Sequence, residues 1–155
     1  MSKSVTLTQM ITQAREAADM VGSTFVSDTE ITALLNTYIA EVYDLLVSAY
    51  GPSFFASSFT FTAVANQREY SLPVSPDTGA DFYQLLGVDI DLGGGDVLSA
   101  TPFDFYSRNK FSQDTSYVRG QPVYYRLHGS KIWRIPVPDG IYSVTVHYVP
   151  AAPTL

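Results

Sequence analysis

The feature that most constrains this chain is the dipeptide Gly51-Pro52, because the spacing of apolar residues changes there from helical to strand-like. Before it, Ile31, Leu34, Leu35, Tyr38, Ile39, Val42, Leu45, Leu46 and Ala49 recur at three- and four-residue steps, the period of a helix face. After it, "SSFTFTA" alternates Phe59 and Phe61 with Ser58, Thr60 and Thr62, the period of a strand. One switch of period with no return predicts an α+β chain whose long helices are gathered at the N-terminal end.

Two capping boxes, Thr6 with Gln9 and Ser27 with Glu30, mark helix starts. The first helix runs through Leu7, Met10, Ile11, Ala14, Ala18 and Val21 and is expected to close at Gly22. Gly51-Pro52 stops the second. The linker "VGSTFVSD" makes residues 1–52 an antiparallel helical hairpin, with Phe25 and Val26 pinning its turn. Tyr43 and Tyr50 lie off the seam set by Leu35, Ile39, Val42 and Leu46, so helix two has more than one apolar face.

Residues 53–150 read as an antiparallel β region. "SSFTFTA" and "REYSLP" form a hairpin around "VANQ". "FYQLLGVDIDL" sets Val88, Ile90 and Leu92 on one face and Asp89 and Asp91 on the other, and the glycines at 93–95 turn the chain back into "DVLSA". Thr101-Pro102 with Asp104 has the form of a helix start, so a short helix is expected near 102–111. The segment "YRLHGSKIWRIPVPDGIYSVTVHYVP" closes the region as a meander, and residues 151–155 follow as an extended tail. The expected fold is a helical hairpin packed on a mainly antiparallel β-sandwich or barrel-like sheet with one inserted helix. At 155 residues this is one structural domain with a sufficient core.

The residues offer little for catalysis. There are no cysteines, which removes disulfides and thiolate metal sites. His128 and His147 lie in expected strands without a second histidine or a carboxylate at ligand spacing. "DIDLGGGD" lacks the fifth-position oxygen ligand and distal glutamate of a calcium loop. The glycine triplet has no following lysine to hold phosphate, and no G-x-S-x-G elbow occurs. The expectation is therefore no enzyme, no cofactor and no metal. Nine basic against fifteen acidic side chains leave a net charge of −6, which disfavours gripping nucleic acid. No segment has the apolar length of a membrane span or a signal peptide. Charged residues make up only 15%, so the surface is short of charge and suited to partners.

In order, the segments "REAADMVGSTFVSDTEITALLNTYIAEVYDLLVSAYG", "DFYQLLGVDIDLGGG", "PFDFYSRNKF" and "YYRLHGSKIWRIPVPDGIYSVTVHYVP" cover nearly the whole chain. That order resembles the head-to-tail connector, or adaptor, proteins of tailed bacteriophages, especially those with short tails. The resemblance implies a structural virion protein at the head-tail junction, assembled in the host cytoplasm. It implies a ring, usually of twelve copies, below the portal, bearing the tail nozzle or other tail proteins, with genome DNA passing through the lumen unbound. An acidic lumen would repel phosphates over about 8 Å at physiological salt. The chain departs from longer members by its brevity, which puts a long arm along the portal in doubt.

On this reading the functional residues are contacts. Tyr38, Tyr43 and Tyr50 on helix two and Phe103, Phe105 and Tyr106 in the short helix are expected at the subunit interface. Tyr117, Arg119 and Gln121 in the 112–122 loop, with Pro150, Pro153 and Leu155 at the C-terminus, are expected to dock portal or tail. The alternative is a small β-sandwich module whose exposed aromatics hold carbohydrate, which leaves the helical pair unexplained.

Overall fold

In a computed structural model of the protein, the change of period at Gly51-Pro52 is also a boundary between two compact units. One comprises Met1–Gly51 with Ala152–Leu155, the other Pro52–Ala151. The structure describes residues 5–72, 82–104, 106, 119–129 and 131–155.

The helical unit holds α1 (Leu7–Ala17) and α2 (Asp28–Tyr50). Both capping boxes form: the Thr6 hydroxyl accepts from Gln9 N at 3.2 Å and the Ser27 hydroxyl from Glu30 N at 3.3 Å. Ser27 N in turn donates to Glu30 Oε2 at 2.8 Å, and these bonds, the backbone one foremost, hold the Glu30 carboxyl below its ordinary pKa. The first helix stops earlier than Gly22. Its last residue is Ala17, and Asp19 (φ 53°) and Gly22 (φ 79°) take left-handed backbone in the linker. The left-handed turn at Asp19 breaks the helical ladder, and Arg15 holds the linker that follows. Its guanidinium reaches out of the helix to Ser23 O and Val26 O, each at 2.8 Å, and to Asp28 Oδ1 at 2.7 Å, tying the linker to both helices. Phe25, expected to pin this turn, is instead 91% exposed.

The β unit opens with a 3₁₀ turn (Pro52–Phe55) and contains two four-stranded sheets. The first has the order β1 (Ser57–Ala63), β10 (Tyr142–Pro150), β3 (Phe82–Asp91), β4 (Val97–Ser99), antiparallel throughout. The second has the order β2 (Glu69–Ser71), β8 (Lys131–Ile135), β7 (Tyr124–His128), β5 (Thr101–Pro102), with β5 parallel to β7. A short parallel pair joins β6 (Arg119–Gly120) to β9 (Val137–Pro138). One apolar cluster draws on both sheets: Ala63, Val88, Ile90, Val144 and Val146 from the first, Tyr70, Tyr125 and Ile132 from the second. The alternation along β3 works as the period-two rule requires, with Val88 and Ile90 buried and Asp89 and Asp91 turned out. Gly93, Gly94 and Gly95 all have positive φ, which lets β4 fold straight back on β3.

Three expectations are corrected here. β1 and β2 are not a hairpin, because β1 pairs with β10 over seven residues whereas three-residue β2 joins the other sheet. The crossing is held by Tyr70, whose hydroxyl accepts from Val64 N at 3.0 Å and lies 2.9 Å from Gln67 O, while Asn66 turns the chain at φ 66°. The closing meander also divides. β7 and β8 are a hairpin, but Pro136 and Pro138 lack the N–H to continue a ladder, and the chain crosses to the first sheet as β10. Finally, Thr101-Pro102 does not begin a helix. Thr101 N donates to Val123 O at 2.9 Å and Phe103 N to Tyr125 O at 3.0 Å, which spends the local hydrogen bonds on β7. Of the remaining expected helix, residues 105 and 107–111 lie outside the described residues.

Candidate functional site

The most conspicuous surface lies on α2. With twenty-three residues it is about 35 Å long, against about 16 Å for eleven-residue α1, so much of its length has no helical partner among the described residues. Only Ile31 and Val47 of α2 are buried. Leu34, Tyr38, Val42 and Leu45 are 56, 60, 52 and 69% exposed. At about 100° per residue these four fall within an arc of about 80°, forming one apolar stripe. Val42 and Leu46 were expected in the buried seam, yet Val42 is half exposed and Leu46 39% exposed, because α1 is too short to cover them.

The expected interface residues do not all share that stripe. Tyr38 is in it, while half-buried Tyr43 and exposed Tyr50 stand about 140° and about 120° round the helix from Tyr38. Phe103 is half-buried beside β7, Tyr106 is 87% exposed, and Phe105 lies outside the described residues. The sequence periodicity contained Leu34, Val42 and Leu45, but it gave no sign that they were uncovered.

The docking residues are also dispersed. Tyr117 lies outside the described residues, the Arg119 backbone pairs with Val137, and Gln121 is exposed in the link to β7. Pro150 ends β10 opposite Phe82, inside the sheet rather than in a tail. Pro153 and Leu155 belong to the helical unit: Leu155 N donates to Asn36 Oδ1 on α2 at 2.8 Å. Nothing local in "AAPTL" indicates that bond, which joins residues 119 positions apart.

Two polar features inside the β unit were not foreseen. His147 has a carboxylate neighbour after all, since Nε2 lies 2.9 Å from Asp89 Oδ2 across the β10–β3 pair. Ser99 Oγ donates to the other oxygen of Asp89 at 2.7 Å. The aspartate thus stands between serine and histidine, so the histidine is not placed to take the serine proton, as nucleophilic catalysis requires. The second feature is Arg134, fully buried, with none of its three guanidinium nitrogens hydrogen-bonded. It lies 5.9 Å from the ring centre of Tyr70, and burial pushes its pKa down to about 10. Burial also raises the Tyr125 phenol, and the hydrogen bond to Asp139 raises that of Tyr142.

Among the described residues no cluster of three His, Cys, Asp or Glu could hold a metal ion, and no helix is long and apolar enough to cross a membrane. What the described surface does present is exposed apolar area, in the α2 stripe and at Phe54 and Tyr83, and a C-terminus bonded to α2. A family model described as SU10 adaptor protein matches residues 5–155, both units and the tail. No curated protein matches the chain.

Proposed function

The chain belongs to the SU10 adaptor protein family, a family of phage head-to-tail adaptors, and from that premise we propose that it forms a ring between portal and tail. Membership makes it a structural adaptor of a bacteriophage virion. The finer reading is a ring, on the family pattern of twelve copies, seated below the portal, bearing the tail nozzle or other tail proteins and leaving a channel for DNA. It is structural and not enzymatic, and the two sheets form a sandwich that carries the contacts.

The observation that carries this reading is the family match over the whole described length, helices and tail included. A small carbohydrate module would leave the helical part of that match without a purpose. The α2 stripe supports the ring, because head-to-tail assembly needs an apolar surface that a neighbour covers. A net charge of −6 suits a channel that DNA passes without sticking. In this reading Leu155 exchanges its Asn36 contact for the portal, and Pro153 docks there with it.

The test is to mix the full chain with purified portal rings and image the product by negative-stain electron microscopy. The expected result is an added ring on one portal face, lost with Leu45→Asp and weakened by deletion of residues 152–155. A chain that never associates with portal refutes the reading. So does Leu45→Asp assembling as well as the wild type.

A further inference from the structure

A strand at the edge of a sheet exposes unpaired N–H and C=O groups, and monomeric proteins defend such edges with charges, prolines, bulges or brevity. Among the described residues three of the sheet edges follow that rule. β4 has three residues, β2 has three with Glu69 ion-paired to Lys131, and β5 has two, one of them Pro102. β1 does not. It is seven residues long, β10 is its one paired neighbour among the described residues, and its register with β10 runs without a shift from Ser57 to Ala63. No Asp, Glu, Lys or Arg lies anywhere between Asp44 and Arg68. Ser57, Ser58, Phe59, Thr60 and Thr62 are all exposed.

The sequence of this edge is also nearly symmetric about its centre. Around Thr60, Phe59 mirrors Phe61, Ser58 mirrors Thr62, and Ser57 mirrors Ala63. A twofold contact requires the same patch to complement itself, and an antiparallel strand pair is the geometry that a symmetric strand satisfies. Aligned on Thr60, two copies would set Phe59 opposite Phe61 on one face, twice. Ser58 would face Thr62, and Thr60 its own counterpart, on the other. Aromatic pairs and hydroxyl pairs are favourable cross-strand neighbours. The molecule already uses the hydroxyl pair across strands, Thr60 Oγ1 lying 3.0 Å from Thr145 Oγ1 across the β1–β10 pair, and along β1 itself Phe59 stacks on Phe61 at 6.1 Å.

We propose that the free β1 edge pairs with the β1 edge of a second copy of this chain, antiparallel and in register about Thr60, joining two four-stranded sheets into one of eight. The contact is isologous and closes at two copies, so it describes the protein in the absence of portal and does not depend on the ring reading.

The test is sedimentation equilibrium of the full chain without portal, with Thr60→Lys, Thr60→Glu and their equimolar mixture. Wild type is expected to dimerise with rising concentration, and its amides in 57–63 to gain hydrogen-exchange protection as it does. Each single variant places like charges directly opposite and should weaken the dimer by roughly tenfold or more. The mixture, which sets lysine against glutamate, should restore it. Three results overturn the proposal: a wild-type monomer up to about 1 mM, a dimer indifferent to Thr60→Lys, or single variants that stay apart when mixed. If a variant fails to fold, the wild-type exchange data decide: a dimer without added protection in 57–63 overturns the proposal equally.

Discussion

Replacing Arg134 with methionine should make the β unit more stable, although it removes the largest fully buried side chain among the described residues. Burial holds the guanidinium at about 10, well below its ordinary value, while none of its nitrogens has a hydrogen-bond partner. At ~1.36 kcal/mol per pH decade, a depression of about 2.5 decades is a penalty of about 3 kcal/mol on the charged form. Below pH about 10 the side chain is charged in both folded and unfolded chains, so that penalty is complete at neutral pH and is relieved only above it. The Tyr70 ring, 5.9 Å away, returns about 0.5–1 kcal/mol. Methionine keeps most of the length and carries no charge to desolvate. The net gain is then about 2 kcal/mol, which at a slope of about 1–2 kcal/mol per molar raises the urea midpoint by about 1–2 M. Trp133, the single tryptophan, sits in the neighbouring position of β8 and reports this transition by fluorescence. A midpoint lowered by Arg134→Met would refute the reasoning, because it would mean that the guanidinium has an acceptor whose loss outweighs the desolvation.

Two further outcomes can be measured on the same material. Tyr70→Phe keeps the ring against Phe61, at 5.0 Å, but leaves Val64 N–H and Gln67 C=O without the hydroxyl, so it should cost about 1–3 kcal/mol in the same urea titration; an unchanged midpoint would contradict the role given to this crossing. Glu30 has its pKa lowered by the Ser27 N–H and hydroxyl, so its contribution is complete above the ordinary glutamate value near ~4.3 and is lost as pH falls through the lowered one. Glu30→Gln keeps an oxygen for the capping box and should flatten the acid limb of the helical circular dichroism; identical acid limbs would show that the box does not carry the pH dependence.

Much of the helical unit was legible because its signals are local. Both capping boxes and the stop at Gly51 depend on residues within four positions of one another, and each formed where the sequence places it. The β3–β4 hairpin is equally local, turning on three consecutive glycines. Exposure was harder to read. The helical period includes Leu34, Tyr38, Val42 and Leu45, but whether they are covered depends on which face of α2 meets α1 and how far α1 reaches along it. Arg15, with bonds reaching thirteen residues ahead, leaves no periodic trace at all.

By itself, then, the sequence determined the two long helices and where each starts, the change to strands at Gly51-Pro52, and the order of segments shared with the adaptor family, though it placed a helix start at Thr101-Pro102 where a strand forms. Periodicity and caps encode these, since they act between residues a few positions apart. Only the tertiary structure decided partners. β1 took β10 rather than β2, His147 met Asp89, Leu155 reached Asn36, and Arg134 was buried beside the Tyr70 ring without a hydrogen bond to its guanidinium. A strand's alternation says which face turns inward but not which neighbour completes its ladder, because that choice rests on competition among segments far apart in the chain. The same competition left β1 with a single paired neighbour among the described residues.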